Sequence, residues 1–334
     1  MTRLASVGEF ALIEAIARLA AGRHPGVRVG IGDDAAAVAA SGTTLLTTDT
    51  LVEDVHFRRR WLTPRALGRR AFRAAVSDVA AMGGTPRYAL LSLELPARMA
   101  VADARALVHG FVREADASGT ALVGGNVSSG GAISVTVTLT GQAPANPLLR
   151  SGAHPGDSIW VTGTLGGAAA GVELLDRGTR SGPLVATYRL PPLRVELARS
   201  IARSRTASSM IDVSDGLVQD LGHLCRASGV SARIDIAAVP LLRSLVRATF
   251  LGAKKRVLLR PAIAYALGGG EDYELLLTTR GPRAEAKLKA LCEKRACMVS
   301  RIGEMTQARA RPVVRDTADR VLEERGYKHF RSRR

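Results

Sequence analysis

The sequence has few cysteines, few aromatic residues and no long hydrophobic run. The three cysteines, Cys225, Cys292 and Cys297, lack the Cys-x-x-Cys spacing of zinc sites and redox motifs, so we expect them to be reduced and partly buried. No apolar run reaches the roughly 18 to 20 residues that cross a bilayer. The first residues also lack the apolar core of a secretory signal. We therefore predict a cytoplasmic protein with no membrane partner.

Basic residues outnumber acidic ones, which raises the question of a nucleic-acid partner. The chain has 47 Lys and Arg against 30 Asp and Glu, a formal net charge of +17. Nucleic-acid sites cluster such charges and add aromatic rings on which bases stack. Here the arginines are spread along the chain, apart from Arg58–Arg60 and the tail Arg331–Arg334, and only 4% of the residues are aromatic. We interpret the excess as a solvated basic surface and expect no nucleic-acid partner.

Against this basic background, acidic residues gather in short clusters of small and apolar residues. Carboxylates in such surroundings lose hydration, and only a cation or hydrogen bonds offset that cost. Oxygen ligands with no cysteine and little histidine favour Mg²⁺. The sequence therefore predicts a site for several metal ions between two domains. The five clusters are Gly32-Asp33-Asp34, Thr47-Thr48-Asp49-Thr50, Ser77-Asp78, Asp212-Val213-Ser214-Asp215-Gly216 and Gly269-Gly270-Glu271-Asp272.

A single Asp in a turn has a second explanation. Asp is a frequent helix N-cap and stabilises turns by accepting backbone N–H groups. Asp33 and Asp220 are open to this purely structural explanation.

Both halves of the chain mix helical and strand patterns. In the first half, Thr63-Pro64 reads as a helix start, and the alternation of apolar residues with Ser and Thr over Ile133–Thr140 predicts a half-buried strand of an antiparallel or mixed sheet. The acids of the first half then lie in three separate turns, with Asp49 at a strand end. The first half predicts helices at Glu9–Leu19, Pro64–Met82 and Asp103–Ala117, and strands at Thr44–Thr48, Tyr88–Leu95, Ala121–Val123 and Ile133–Thr140.

A region rich in Pro and Gly between about residues 143 and 157 predicts the domain boundary. We therefore assign domains to residues 1–145 and 150–334, both mixed α/β (α+β type). The second half predicts strands at Ser158–Thr162, Met210–Val213, Ala232–Ile236 and Tyr273–Thr279, and helices at Gly167–Leu175, Leu193–Ala202, Leu217–Ala227 and Arg283–Arg295.

A phosphate-binding motif of the usual kind is missing. The sequence has neither the P-loop pattern nor the Gly-rich loop of protein kinases. Two glycine turns follow strands, Gly163–Gly167 and Gly124–Asn126, and their backbone amides could approach a phosphate. Glycines in such turns also serve backbone geometry alone, and the sequence leaves both explanations open.

Taken in order, the motifs resemble those of bacterial thiamine-monophosphate kinase, from about residue 8 to 330. So many motifs in one order are highly specific, whereas a single Ser-Asp-Gly is not. They are Gly8-Glu9-Phe10, Gly30–Ala35, Thr47–Val52 followed by His56-Phe57, Ser77–Gly83, Arg150–Ala153 with Pro155–Asp157, Asp212–Leu217, Asp220–His223 and Gly269–Glu274.

The resemblance implies ATP-dependent phosphorylation of thiamine monophosphate to thiamine diphosphate, the last step of thiamine diphosphate biosynthesis. It implies the two-domain ATP-binding fold shared with aminoimidazole ribonucleotide synthetase and selenophosphate synthetase, and a homodimer formed through the N-terminal sheets. The first domain would bind ATP and Mg²⁺ and form the dimer, and the second would complete the metal and substrate sites.

Site residues carried over from the resemblance fall into four groups. We expect direct in-line transfer without a phosphoenzyme, because the transition state needs alignment and charge neutralisation more than a protein nucleophile. The implied Mg²⁺ ligands are Asp34, Thr47, Thr48, Asp49, Asp78, Asn126, Asp212 and Asp215; ATP would meet Gly125, Asn126, Arg150 and Ser214; the thiamine phosphate would meet His56, Glu271 and Tyr327; and the catalytic set would be Asp49, Asp78, Asp215 and Arg150.

One position departs from the family pattern. The family commonly has Gly-Gly-Asp-Thr where this chain has Gly124-Gly125-Asn126-Val127. Asparagine offers a neutral carbonyl oxygen, so we expect weaker binding of one Mg²⁺. Two alternatives stay open: an enzyme of the same superfamily with a different acceptor, and a nucleotide-binding relative without catalysis. His56 as a surface histidine and Tyr327 as a packed tail residue are the corresponding structural alternatives.

Overall fold

A computed structural model describes residues 3, 9–21, 24, 26–31, 36–250, 258–324 and 326. The chain divides into two compact units, one comprising Met1–Val79 with Gly84–Pro144 and the other Ala80–Gly83 with Ala145–Arg334. Within the described part, no helix combines the length and the hydropathy needed to cross a membrane. The three cysteines are buried and free of disulfides, as expected.

The first unit is built on a mixed four-stranded sheet. Its strands lie in the order β3-β6-β4-β5, with β6 antiparallel to both of its neighbours and β4 parallel to β5. A short antiparallel pair, β1 and β2, stands apart from this sheet. The elements are α1 Glu9–Leu19, β1 Val27–Val29, β2 Ala37–Val38, β3 Thr44–Val52, α2 Pro64–Ala81, β4 Thr85–Leu95, α3 Val101–Ala117, β5 Ala121–Ser129 and β6 Ser134–Gln142.

The sheet has one buried and one accessible face, which follow from the period-two alternation of its strands. In β3, Leu45 and Leu51 are buried on one face, whereas Leu46 on the other is 74% exposed. Helix α2 packs on the buried face, where a Cβ placed on Gly84 would lie 2.4 Å from a side-chain atom of Leu45 and 3.0 Å from one of Val79. Residues of β3 with odd numbers therefore point toward α2.

Helices α2 and α3 approach each other closely enough for backbone contact. An ideal Cβ on Gly68 would lie 1.9 Å from the carbonyl oxygen of Leu107, and one on Gly110 would lie 2.1 Å from that of Arg65. Glycine is required at both positions because a side chain would overlap main-chain atoms that cannot rotate away. The crossing of the two helices depends on these two residues.

The second unit contains a six-stranded sheet in the order β12-β9-β11-β7-β10-β8. All neighbours are antiparallel except β12 and β9. Its core joins strand residues such as Ile159 and Leu276 to Leu217 and Leu221 of helix α7. The elements are β7 Ser158–Thr162, α4 Gly167–Asp176, α5 Pro183–Arg189, α6 Val195–Arg203, β8 Ser209–Val213, α7 Leu217–Ser228, β9 Ser231–Ile234, α8 Arg243–Phe250, α9 Ala262–Gly268, β10 Glu274–Thr279, α10 Gly281–Lys294, β11 Val299–Thr306 and β12 Val314–Asp316, with a 3₁₀ turn at Ile236–Ala238.

The prediction of a mixed α/β protein is confirmed, but three local predictions are wrong. Asp49 lies inside β3, which continues to Val52 because it pairs with β6 over its whole length. Gly124–Asn126 lies inside β5, paired with β4 past a bulge, so it is not a turn. Asp78 lies in the last turns of α2. The acids of the first unit therefore project from regular elements.

Two buried carboxylates connect the strands of the second unit to its turns. Asp272 accepts backbone N–H groups from Gly166 (2.7 Å) and Ala168 (3.2 Å), at the N-terminus of α4. Glu274 forms a two-pronged ion pair with Arg194, at 2.7 and 2.6 Å. Asp272 thereby caps α4 from the loop before β10, and within the Gly163–Gly167 turn it occupies the amide of Gly166, while those of Gly163 and Leu165 bond to the carbonyls of Met298 and Pro240. This geometry favours the structural explanation for these glycines over phosphate binding.

Replacing Gly68 by Ala should destabilise the first unit by about 3 kcal/mol, the upper end for overpacking, since the new methyl overlaps the Leu107 carbonyl. Chemical denaturation followed by circular dichroism measures this change. Gly131→Ala is the matched control, because nothing lies within 4 Å of its added Cβ. Equal stabilities of the two variants would contradict the close helix contact.

Replacing Asp272 by Asn should flatten the pH dependence of stability. Burial, opposed by the two N–H bonds and reinforced by Glu274 and Glu271, raises the pKa of Asp272 from 3.8 to about 7. Between these values the folded protein holds a proton that the unfolded chain releases, so the contribution of this group to stability falls as pH rises. This group changes the free energy of unfolding by at most about 1.4 kcal/mol per pH unit.

Urea denaturation in EDTA between pH 5 and 8 measures this effect. The free energy of unfolding of Asp272→Asn should rise relative to the native protein as pH increases. Asp235→Asn, at a side chain that accepts one backbone N–H at 2.9 Å, is the control for an Asp-to-Asn change at a capping site. If the free energies of unfolding of Asp272→Asn and the native protein change in parallel with pH, the raised pKa of Asp272 is refuted.

Candidate functional site

The first unit gathers oxygen atoms between β3 and α2. Thr47 donates its hydroxyl proton to Asp78 Oδ2 at 2.5 Å, which joins the strand to the helix. Asp49 lies two residues further along β3, so its side chain points to the same face as Thr47. One of its carboxylate oxygens accepts the backbone N–H of Thr50 at 2.7 Å. Thr47, Asp49 and Asp78 are half-buried, and they offer Mg²⁺ only the oxygen ligands that it prefers.

Thr48 and Asn126 are placed elsewhere in this unit. Thr48 lies on the opposite face of β3, where its hydroxyl pairs with Thr138 at 3.2 Å. Asn126 is exposed and lies in β5. It pairs with Ser92 of β4, which pairs with Thr136 of β6, so Asn126 lies on this opposite face as well. Three strand spacings, roughly 14 Å, separate β5 from β3. Within this unit the structure does not bring Thr48 or Asn126 to Asp49.

Gly125 is required by the backbone of the sheet. An ideal Cβ at this position would lie 1.9 Å from the carbonyl oxygen of Leu91 on the neighbouring strand β4. The glycine permits close approach of the two chains, and any role with a nucleotide comes in addition to that need.

His56 lies in the turn after β3 with one ring nitrogen engaged by the main chain. The backbone N–H of Val52 donates to His56 Nδ1 at 3.0 Å, and the His56 N–H donates to the Val52 carbonyl at 2.9 Å. Phe57, which is only 1% exposed, anchors the turn. Because Nδ1 accepts a hydrogen bond, the neutral tautomer of the ring carries its proton on Nε2.

In the second unit the predicted acidic turn lies between β8 and α7. Asp220 Oδ2 accepts the backbone N–H groups of Ser214 (3.1 Å), Asp215 (3.1 Å) and Gly216 (3.0 Å). Burial and the charges of Asp212 and Asp215 raise the pKa of Asp220 to about 8. The structural explanation for Asp220 is correct: it holds the turn that carries Ser214 and Asp215.

The loop before β10 lies against this turn. The Glu271 N–H donates to the Ser214 carbonyl and the Tyr273 N–H to that of Val213, each at 2.8 Å. Glu271 has a φ of 75°, and its carboxylate accepts the Tyr273 hydroxyl proton at 2.9 Å. An ideal Cβ on Gly270 would lie 2.2 Å from the Ser214 carbonyl oxygen, so only glycine fits. The structure thus joins the Ser214–Asp215 turn to Glu271.

Two residues of α7 belong to this cluster although the sequence-based set omits them. Gln219 Nε2 donates to Asp215 Oδ2 at 2.7 Å. A ligand atom of His223 lies within 4.8 Å of those of Asp215 and Asp220. Burial, followed by the charges of Arg226 and Arg150, lowers the pKa of His223, so Arg150 acts on the same side of α7. Gln219 follows Asp215, in the turn before α7, by four residues, and His223 follows Asp220 on the helix by three; this spacing was the available signal.

Predicted residues in two other places lie outside the described part of the chain. These are Asp34, with its neighbour Asp33, and Tyr327.

Each unit therefore holds its own oxygen-rich cluster. In the second, burial and then the negative charges of Asp212 and Asp215 raise the pKa of Asp220, and a bound cation would relieve the repulsion among the three carboxylates. In the first, the Thr47 hydroxyl meets the Asp78 carboxylate, and Asp49 lies on the same face of β3. Both sets fit Mg²⁺, whose bound waters and phosphates complete the coordination in phosphoryl-transfer sites.

Comparison with known proteins places these features in a family. The family model for the N-terminal domain of AIR synthase related protein matches residues 32–143, and the model for its C-terminal domain matches residues 154–315. A thiamine-monophosphate kinase of Mycobacterium tuberculosis (strain CDC 1551 / Oshkosh) is 38% identical over 286 residues, which cover 84% of this chain and 83% of the relative.

Solved structures agree. The thiamine-monophosphate kinase of Stenotrophomonas maltophilia K279a is 33% identical and has a TM-score of 0.79, covering 92% of this chain and 96% of its own. A structure of AaThiL complexed with AMPPCP and TMP is 32% identical with a TM-score of 0.74, covering 99% of each chain. The predicted fold class is confirmed, and the chain belongs to the thiamine-monophosphate kinase family of the AIR synthase related proteins.

Proposed function

We propose that this protein transfers the γ-phosphoryl group of ATP to thiamine monophosphate, giving thiamine diphosphate and ADP. The observation that carries the proposal is the relative complexed with AMPPCP, an analogue of ATP, and TMP, which aligns over nearly the whole chain. The clusters around Asp49 and Asp215 support it, because phosphoryl transfer depends on carboxylates that hold Mg²⁺ at the phosphates.

Several Mg²⁺ ions would be held by Asp49 and Asp78 with Thr47 in the first unit, and by Asp212 and Asp215 in the second. When bound, Mg²⁺ neutralises phosphate charge and aligns the oxygens for direct in-line transfer. The family resemblance adds Asp34, Thr48 and Asn126 to this set, although Thr48 and Asn126 lie on the opposite face of the sheet from Asp49. The Thr47–Asp78 hydrogen bond fixes one carboxylate oxygen of Asp78, so the other is oriented before any ion binds.

Nucleotide and acceptor would be positioned by residues outside the metal set. Arg150 lies near His223 and supplies a permanent positive charge for the phosphates, with Ser214 and Gly125 completing the ATP contacts. His56 Nδ1 accepts the Val52 N–H, so the neutral tautomer of the ring presents an Nε2–H donor to the acceptor phosphate. No strong general base is required, since the attacking phosphate oxygen is already ionised.

Glu271 and Tyr327 would bind the thiamine portion of the acceptor. Glu271 is held in a left-handed conformation with its carboxylate fixed by Tyr273. A carboxylate placed in this way suits a cationic heterocycle such as the thiazolium of thiamine. Non-glycine residues with positive φ are costly and occur often at ligand sites.

We further propose a homodimer through the accessible face of the first unit's sheet. On this face Leu46 and Leu90 are exposed among rows of Thr, and the hydroxyls of Thr50 and Thr136 pair at 2.9 Å across strands. A regular sheet face with exposed leucines is suited to a second copy of itself. The cytoplasmic location remains a prediction from the sequence.

Incubation of the purified protein with MgATP and thiamine monophosphate should yield thiamine diphosphate and ADP, which chromatography separates. Asp49→Ala and Asp215→Ala should each lower turnover at least about 100-fold, because an interaction made with the transferring group is lost. The matched control is Asp103→Ala, at an exposed position in the first turn of α3.

Melting curves show whether the variants stay folded. Binding of both substrates without product at any Mg²⁺ concentration would exclude the kinase proposal. Formation of product from a different phosphorylated acceptor alone would identify another member of the superfamily. Full turnover in Asp49→Ala or Asp215→Ala would remove that residue from the metal set.

The proposed role of Asn126 makes a separate prediction. Asn126→Asp adds a negative charge, so the Mg²⁺ concentration that gives half-maximal turnover should fall about threefold to tenfold. Asn146→Asp, at an exposed position near the domain boundary, is the matched control. An unchanged Mg²⁺ requirement would count against Asn126 as a ligand and would agree with its position away from Asp49.

A further inference from the structure

Gln219 lies in the first turns of α7, four residues after Asp215. It is 8% exposed, and its side-chain amide donates to Asp215 Oδ2 at 2.7 Å. A donor on one carboxylate oxygen leaves Oδ1 as the oxygen with its lone pairs available to a cation. The amide also fixes the rotation of the carboxylate plane, which determines where Oδ1 points.

Gln219 and its neighbour Asp220 fix different parts of Asp215. Asp220 accepts the N–H of Asp215 at 3.1 Å, which fixes the main chain of the turn. That bond leaves the side chain of Asp215 free to rotate about its own torsions, and Gln219 removes this freedom. Consecutive residues of α7 therefore fix the backbone and the carboxylate of Asp215.

The position of Gln219 is itself constrained by the C-terminal part of the described chain. An ideal Cβ on Gly326 would lie 2.3 Å from Gln219 Oε1 and 2.8 Å from the carbonyl oxygen of Asp215. Nearby, Glu324 pairs with Arg226 of α7, and an ideal Cβ on Gly222 would lie 2.4 Å from Glu324 Oε1. Glycine at 326 lets the chain lie directly against the amide and the turn.

We propose that Gln219 is a positioning residue that orients the Asp215 carboxylate for its metal ion, and that Gly326 holds Gln219 in place. The inference rests on the proposed metal role of Asp215. A neutral amide suits the task, because a Lys or Arg at this position would place a full positive charge beside the ion. Groups that orient metal ligands in this way typically affect metal affinity by about 10- to 100-fold.

The test measures Mn²⁺ binding to the full chain by electron paramagnetic resonance of the free ion, in the presence of AMPPCP. The Mn²⁺ sites lost in Asp215→Ala define the relevant class. Gln219→Leu should weaken that class about 10-fold while leaving the other sites unchanged. Gln307→Leu, an exposed glutamine far along the chain, is the matched control and should bind Mn²⁺ as the native protein does.

Turnover gives a second readout that a merely structural role would not produce. The half-maximal Mg²⁺ concentration should rise about 10-fold in Gln219→Leu, excess Mg²⁺ should restore most of kcat, and KM for thiamine monophosphate should stay within about twofold. Gly326→Ala should shift Mn²⁺ affinity in the same direction because its methyl displaces Gln219, with Gly131→Ala as control.

If Gln219→Leu does not fold, Gln219→Asn and Gly326→Ala decide the question, since a shorter amide cannot reach Asp215 from the same backbone. Mn²⁺ affinity within about twofold of the native value in the folded variants overturns the inference. It is also overturned if Asp215→Ala loses no Mn²⁺ site. Failure of the native protein to form thiamine diphosphate rejects the proposed function alone, because the Mn²⁺ titration needs no turnover.

Discussion

Buried carboxylates that accept main-chain N–H groups fix two turns of the second unit. Asp220 ties down three consecutive amides of the turn before α7, and Asp272 ties down two amides at the start of α4. In both cases desolvation outweighs the N–H bonds, and the pKa rises to about 8 and about 7 respectively. Both turns are therefore fixed by carboxylates whose ionised form is destabilised by burial. The turn held by Asp220 carries Asp215.

Glycine makes this arrangement possible because the turns touch through their backbones. A Cβ on Gly270 would overlap the Ser214 carbonyl, and one on Gly269 would lie 2.3 Å from that of Tyr265. The same principle operates in the first unit, where Gly68 meets the Leu107 carbonyl at a helix crossing. Close backbone contact leaves few degrees of freedom, so the side chains that project from these turns begin from defined positions.

Sequence patterns predicted elements well where a local signal marks their ends or their faces. Pro64 begins α2, as its preference for the first helical turn indicates, and the alternation over Ile133–Thr140 gave the antiparallel strand β6. Local patterns failed where the neighbouring strand determines how far a strand extends. Asp49 to Val52 extend β3 beyond its predicted end because β6 lies opposite them. Gly124 and Gly125 remain in β5 because β4 pairs with them despite poor strand propensity.

The candidate site shows the same limit. Acidic residues set among small residues made Asp49, Asp78 and Asp215 candidates, because such surroundings desolvate a carboxylate. The role of Asp272 could not be predicted in this way, since its partners at Gly166 and Ala168 lie more than a hundred residues away. Gln219 was missed because a neutral amide on a helix is common, and only its contact with Asp215 distinguishes it.

The two oxygen clusters are held by different means, and this difference bears on how each would respond to a cation. In the first unit Asp49 and Asp78 project from a nine-residue strand and an eighteen-residue helix, so their backbones are fixed by regular hydrogen bonding. In the second, Asp215 lies in a turn whose shape depends on a neighbouring carboxylate. A cation at Asp215 also reduces the repulsion felt by Asp220, and an ionised Asp220 holds the turn amides more strongly. Metal binding and ordering of the turn would therefore be coupled in the second unit, whereas in the first the strand and the helix fix the backbones of Asp49 and Asp78 without an ion.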